Sequence, residues 1–150
     1  MKNESNKLEN EMVMVWTNVG TFVQRFIKVS RLNAKKSGLT LPRAWILQAI
    51  SQENGMTETD LARYTGTTLP TITDILDELV KVNFITKNRS REDERKLVIS
   101  ISNTGREKLK KFQYLQQQFV EKIEKETGKE FMDKLSNVFQ TLVKATNSYV

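Results

Sequence analysis

From Thr57 to Ser102 the chain sets helix punctuation and apolar spacing in an order that few folds can use. Thr57 can cap a short helix, because its hydroxyl can accept a hydrogen bond from a free backbone N–H of the first turn. Asp60, three residues on, stands where a capping box usually has Glu or Gln, so the box is expected to be imperfect. Leu61 and Ala62 should face inward, with Ala62 small enough for a second helix to cross closely. Gly66 falls where a tight turn often needs positive φ. Thr68 is expected to cap the next helix, and Pro70 lies in its first turn, where a missing N–H costs little. Ile72, Ile75, Leu76, Leu79 and Val82 then recur at helical spacing. The expectation is a helix-turn-helix whose second helix covers 68–82. Thr71, Thr73 and Asp74 would lie on its outer face near the N-terminal end, the end a recognition helix presents to base edges. An ordinary pair of packed helices would share this spacing, so the segment that follows carries weight.

That segment reads as a hairpin over 84–101. Asn83 tolerates the left-handed conformation that ends a helix. Phe84-Ile-Thr-Lys reads as a short strand and Lys96 to Ser102 as its return, rich in β-branched residues. Leu97, Ile99 and Ile101 alternate with polar or smaller neighbours, so one face should be buried. Asn88 to Glu94 holds five charges and no large apolar residue, which makes it a solvated tip. Arg89, Arg91 and Arg95 on so narrow a projection suit the minor groove, where negative potential is concentrated. Glu92-Asp93-Glu94 has no further ligands in view, and no metal is expected.

Residues about 39 to 109 resemble the MarR family of winged-helix regulators. The resemblance is carried by Leu39-Thr-Leu-Pro-Arg-Ala-Trp-Ile-Leu, Leu61-Ala, Gly66, Thr71-Ile-Thr, Leu79-Val-Lys-Val-Asn-Phe-Ile, Asp93-Glu-Arg95 and Ser102-Asn-Thr-Gly-Arg. It implies that Thr67, Thr68, Leu69, Pro70, Thr71, Thr73 and Asp74 face a major groove of double-stranded DNA. It also implies that Arg95 reaches the minor groove and that Asp93 orients it. One departure stands out. From Thr68 to Lys81 the helix carries Asp74, Asp77 and Glu78 against a single Lys81, and many family members have a basic residue where this chain has Asp74. Carboxylates beside phosphates repel, although Asp74 could accept a bond from a cytosine amino group.

Composition narrows the function further. Lys plus Arg number 24 and Asp plus Glu 18, for a net charge of +6, which suits a polyanionic partner. The chain contains no Cys and no His. That excludes a thiol redox sensor, zinc sites built from those residues, and nucleophilic catalysis through a Ser–His or Cys–His pair. The remaining carboxylates, Ser, Lys and Tyr show no catalytic spacing, so neither an enzyme nor a cofactor is expected. No apolar run approaches the roughly 18 residues of a membrane span, and Met1-Lys-Asn-Glu-Ser-Asn-Lys leads into no signal-like core. The expectation is a cytoplasmic protein without membrane contact.

The flanks, 8–36 and 103–150, are expected to form long helices. Leu8, Met12, Val15, Val19, Phe22, Phe26 and Val29 alternate in four-three order along a helix that would span about 33 Å. Leu109, Phe112, Phe119 and Ile123 line another, Gly128 breaks it, and Phe131, Leu135, Val138, Leu142, Ala145 and Tyr149 line a last one. A small winged helix cannot cover three such stripes, so a two-fold homodimer is expected. The fold class expected is therefore mainly α: a winged helix-turn-helix at 39–102 with long N- and C-terminal helices forming a dimerisation domain. The resemblance also implies a small aromatic ligand near the dimer helices. Trp16, Phe26, Trp45 and Tyr114 are candidates to border it, with Arg25 or Arg43 pairing a carboxylate.

Two functions are compatible with these residues. One is a homodimeric DNA-binding regulator, expected to be a repressor of a pseudo-palindromic operator. The alternative is a winged-helix module that binds protein, which the acidic residues of the second helix keep open.

Overall fold

The computed structural model describes residues 2–52, 56–89 and 97–146, with side chains from residue 10 in the first helix and from Val98 in the second strand. The elements run α1 (Lys2–Lys36), α2 (Leu41–Gln52), α3 (Glu58–Thr65), α4 (Leu69–Lys81), β1 (Ile85–Arg89), β2 (Leu97–Ile101), α5 (Asn103–Thr127) and α6 (Lys129–Thr146). Residues 1–112 and 113–150 form two compact units, and α5 contributes to both.

The core of the first unit is what holds α4 and the hairpin in place. Ile46, Leu47 and Ile50 of α2, Leu61 of α3, and Ile72, Leu76 and Leu79 of α4 are buried together with Ile85, Ile99 and Ile101 of the hairpin. Burial of each such side chain is worth about 1.5–3 kcal/mol, and the three helices and the hairpin share this one apolar interior. Ile75 and Ala62 pack at its edge. Val82 does not complete the expected stripe. It lies past the helix as its C-cap and is exposed, because the chain has begun to turn.

Local chemistry fixes each boundary. Thr57 Oγ1 accepts from the Asp60 N–H at 3.2 Å, while Asp60 Oδ2 accepts from the Thr57 N–H at 3.0 Å. The capping box is therefore complete, with the shorter Asp reaching as far as a Glu would. Gly66 ends α3 at φ 63°, and the Thr67 N–H returns to the Ala62 carbonyl at 3.1 Å. Asn83 ends α4 in the same way at φ 57°, with Phe84 N–H bonding Leu79 O at 2.9 Å. Thr68 occupies the N-cap of α4, but its hydroxyl makes no capping bond. It lies 2.9 Å from the Thr71 hydroxyl instead.

The hairpin is antiparallel, with Ile85 opposite Ile101, Lys87 opposite Ile99 and Arg89 opposite Leu97. The Ile99 N–H also bonds Met56 O at 3.4 Å, which lays β2 against the segment before α3. Ser102 closes the hairpin. Its N–H donates to Phe84 O at 3.0 Å, its hydroxyl donates to Asn83 O at 2.7 Å, and the same hydroxyl accepts from the Gly105 N–H at 3.0 Å. One residue thus joins the end of α4, the foot of the hairpin and the first turn of α5.

Long helices precede and follow this core in the chain, as the apolar spacing predicts. Within the single chain their stripes stay open. Met12, Val15, Trp16, Val19 and Phe22 of α1 are exposed, and so are Phe131, Val138 and Leu142 of α6. Phe26, Phe119 and Leu135 are half-buried. The side chain of Leu8, and Tyr149, lie outside the described residues.

Candidate nucleic-acid interface

The N-terminal turn of α4 presents Thr68, Leu69, Pro70 and Thr71 to solvent, and Asp74 one turn further on. Two facts of sequence set this. Gly66 turns the chain sharply between the helices, and the apolar stripe of α4 draws Ile72, Leu76 and Leu79 inward, leaving the opposite face outside. Leu69 is 46% exposed, an apolar side chain held in water at the tip of the helix. Thr67 is half-buried, with its hydroxyl 3.5 Å from Thr65 O.

Thr73 is occupied differently from what its helical position suggests. Its hydroxyl donates to Glu58 Oε2 at 2.8 Å and lies 3.1 Å from Leu69 O. It faces α3 rather than open solvent, so of the three outer-face residues only Thr71 and Asp74 are exposed.

The acidic load of α4 is largely compensated. Arg43 of α2 grips Glu78 Oε2 through Nη2 at 2.6 Å and Nε at 3.2 Å. Lys87 of β1 bonds Asp77 Oδ1 at 2.8 Å and Glu58 Oε1 at 2.9 Å. Burial alone would raise the Glu58 carboxyl, but hydrogen bonds from Lys87 and Thr73 outweigh it and hold the group below its ordinary value. The Lys87 hydrogen bond likewise holds Asp77 down. Burial works against the Lys87 charge, yet its two carboxylates reverse that and raise it. Two of the three carboxylates on α4 thus have cationic partners from neighbouring elements.

Of the hairpin arginines, Arg89 is exposed at the end of β1. Arg91, Asp93 and Arg95, with the Glu92–Glu94 acidic run, lie outside the described residues.

The ligand candidates within residues 1–112 do not line one groove. Trp45 lines a groove of about 180 Å³ with Pro42, Ile46, Thr67, Thr71 and Ile75, between α2 and α4. Trp16, Arg25, Phe26 and Arg43 do not line it. Trp16 and Arg25 are exposed along α1, and Phe26 stacks obliquely on Phe22 with ring centroids 6.2 Å apart. Arg43 is committed to Glu78, and the Tyr114 hydroxyl accepts from Gln118 Nε2 at 2.9 Å. Arg43, named with Arg25 as a candidate partner for a ligand carboxylate, holds the carboxylate of Glu78 on α4.

Helix-turn-helix, hairpin and the helices before and after them make up a winged-helix fold of the MarR type. Residues 28–112, more than half the chain, match the family described as transcriptional regulator SarA/Rot, and the protein belongs to that family. This is a family of regulators rather than enzymes. The HTH-type transcriptional repressor YetL of Bacillus subtilis (strain 168) is 31% identical over 62 residues, which is 41% of this chain and 37% of that protein's length. Among solved structures, Staphylococcus aureus MarR in complex with salicylate and kanamycin superposes with a TM-score of 0.82 at 18% identity, covering 96% of this chain and 97% of that one. Streptococcus pneumoniae FabT in complex with DNA gives 0.81 at 16% identity, covering 93% and 99%. Among the described residues no helix is long and apolar enough to cross a membrane.

Proposed function

We propose that the protein acts in the cytoplasm as a homodimeric repressor, binding a pseudo-palindromic operator through α4 and the wing. The observation that carries this reading is the exposed N-terminal turn of α4, Thr68 to Thr71, beside carboxylates already paired by Arg43 and Lys87. With Asp77 and Glu78 neutralised, the helix repels phosphate far less than its composition suggests, and the protein-binding alternative loses its main support. FabT, of the same fold, is known in complex with DNA, and YetL is a transcriptional repressor. Thr71 would meet base edges or thymine methyls, Asp74 a cytosine amino group, and Arg89, Arg91 and Arg95 the adjacent minor groove, with Asp93 orienting Arg95.

The dimer is supported by the apolar residues left open on α1 and α6. Two recognition helices related by a two-fold axis select half-sites roughly 10 bp apart, centre to centre. A small aromatic ligand is supported by the salicylate complex of S. aureus MarR. Trp45, whose groove also holds Thr71, is the residue best situated to couple such a ligand to DNA contact.

Selection of sites from random duplexes, at two salt concentrations, tests the reading. Inverted repeats are expected, with Thr71→Ala changing preference symmetrically in both half-sites and Arg95→Ala weakening binding by about 1–3 kcal/mol. Enrichment of sites without two-fold symmetry, or no duplex binding at low salt, would reject it.

A further inference from the structure

Strand β1 carries a charge on its inner face. Lys87 alternates with Ile85 and lies opposite Ile99, and both isoleucines are buried to 1% exposure. In an antiparallel pair, residues two apart on one strand and residues directly opposite share a face. A lysine therefore stands where the pattern calls for an aliphatic side chain. Its side chain is only 21% exposed, and its ammonium meets Glu58 from the first turn of α3 and Asp77 from the middle of α4. Thr73, one turn before Asp77, holds the other oxygen of Glu58. Four side chains thus tie three elements together at a single cation.

Stability alone is a poor reason for such a cluster. A partly buried ion pair must offset the desolvation of its charges, and an apolar side chain of the same size often does as well. What the ion pairs provide is direction: Nζ must lie within hydrogen-bond reach of two carboxylates on two different helices, which fixes where β1 stands relative to α4. We infer that Lys87, Glu58 and Asp77 form a positioning cluster that sets the angle between wing and recognition helix, so that both reach their grooves at once. The inference rests on the DNA-binding reading above and adds to it. Lys87 on this account does not touch phosphate; its charge is spent inside the protein. An inward lysine can also protect an exposed strand edge from pairing with other chains, and the experiment separates that role.

The sign of one measurement decides. Glu58→Gln with Asp77→Asn removes two negative charges beside a polyanion-binding surface while keeping side-chain shape. Electrostatics alone makes that variant bind duplex more tightly. The positioning role makes it bind its selected duplex more weakly, by roughly tenfold, the scale of coupling within one network. The same loss is expected for Lys87→Met, with substantial recovery in Lys87→Arg. The loss should shrink to below about threefold when the wing is silenced by Arg89→Ala, Arg91→Ala and Arg95→Ala together, since no wing arginine is then left to misplace. Unchanged or tighter binding by the amide variant, or the same loss in the wing-silenced background, overturns the proposal. So does aggregation of Lys87→Met with unaltered affinity of the soluble protein, which is the result for edge protection alone. If the amide pair fails to fold, Asp77→Asn by itself carries the comparison, its side chain being 56% exposed. Wild-type protein that binds no duplex rejects the DNA reading itself; wild-type binding with unaffected variants rejects only the cluster's role.

Discussion

Gly105 and Phe84 approach so closely that a methyl group on the Gly105 Cα would lie 2.1 Å from the Phe84 carbonyl oxygen. That oxygen accepts the Ser102 N–H, so it cannot swing aside without loosening the hairpin foot. The first turn of α5 therefore packs directly on backbone. Gly105→Ala should destabilise the protein by about 1–3 kcal/mol, the range for overpacking a filled site. Urea unfolding at one fixed protein concentration checks this; a midpoint equal to wild type would mean the contact gives way without cost.

Arg43 and Glu78 make a well-formed but accessible pair, their side chains 24% and 55% exposed. Arg43→Ala should change stability by less than about 1 kcal/mol. It should weaken DNA binding several-fold, because it uncovers a carboxylate on the recognition helix. Adding Glu78→Gln should restore most of the affinity. A second change that restores nothing would show that Arg43 acts on DNA directly.

The Lys87 cluster predicts a pH profile. In the folded protein Glu58 and Asp77 titrate below their ordinary values of 4.5 and 3.8. Their contribution is whole above those values and is lost as pH falls through the lower, folded ones. Lys87 titrates above its ordinary 10.5, so its contribution is whole below that pH and is lost as pH rises through the raised value. Lys87→Met should flatten stability at both edges. Urea midpoints across pH give the comparison, and an acid limb of equal slope in variant and wild type would refute it.

Phe22 and Leu142 remain 39% and 50% exposed in the single chain. Phe22→Asp with Leu142→Asp should yield monomers, since a dimer would have to bury unpaired carboxylates. Sedimentation at micromolar concentration reads the outcome. A wild type that is itself monomeric there would refute burial of these residues in a dimer.

What could be read from sequence was local. Gly66 and Asn83 were legible because positive φ leaves few choices of residue, and the stripe Ile72, Leu76, Leu79 because burial repeats with the helical turn. Local spacing misleads at three places: Asp60 completes a capping box expected to be imperfect, Thr68 makes no side-chain capping bond, and Val82 falls outside the apolar stripe. The non-local pairs were the harder part. Thr73 turns toward Glu58, fifteen residues earlier in the chain, and Lys87 reaches the same residue across twenty-nine. Spacing carries no trace of such partners. One signal was available for Lys87: once Ile99 is taken as buried, strand register places the lysine beside it. Arg43 likewise looked like a ligand residue because its partner is on another helix. The Thr-Gly-Arg motif is visible as a pattern, but the close approach of Gly105 to the Phe84 backbone belongs to the folded chain.

The fastening at Ser102 has a bearing on how such proteins diversify. The hairpin leaves the core at Asn83–Phe84 and rejoins it at Ser102, and the two feet are bonded to each other. Whatever the length of chain between them, the registration of α4 with α5 is already decided. Lengthening a loop whose ends are fixed costs only slowly growing entropy. A change of length at the wing's tip should therefore leave the recognition helix in its seat, so that groove preference can change without the core being repacked.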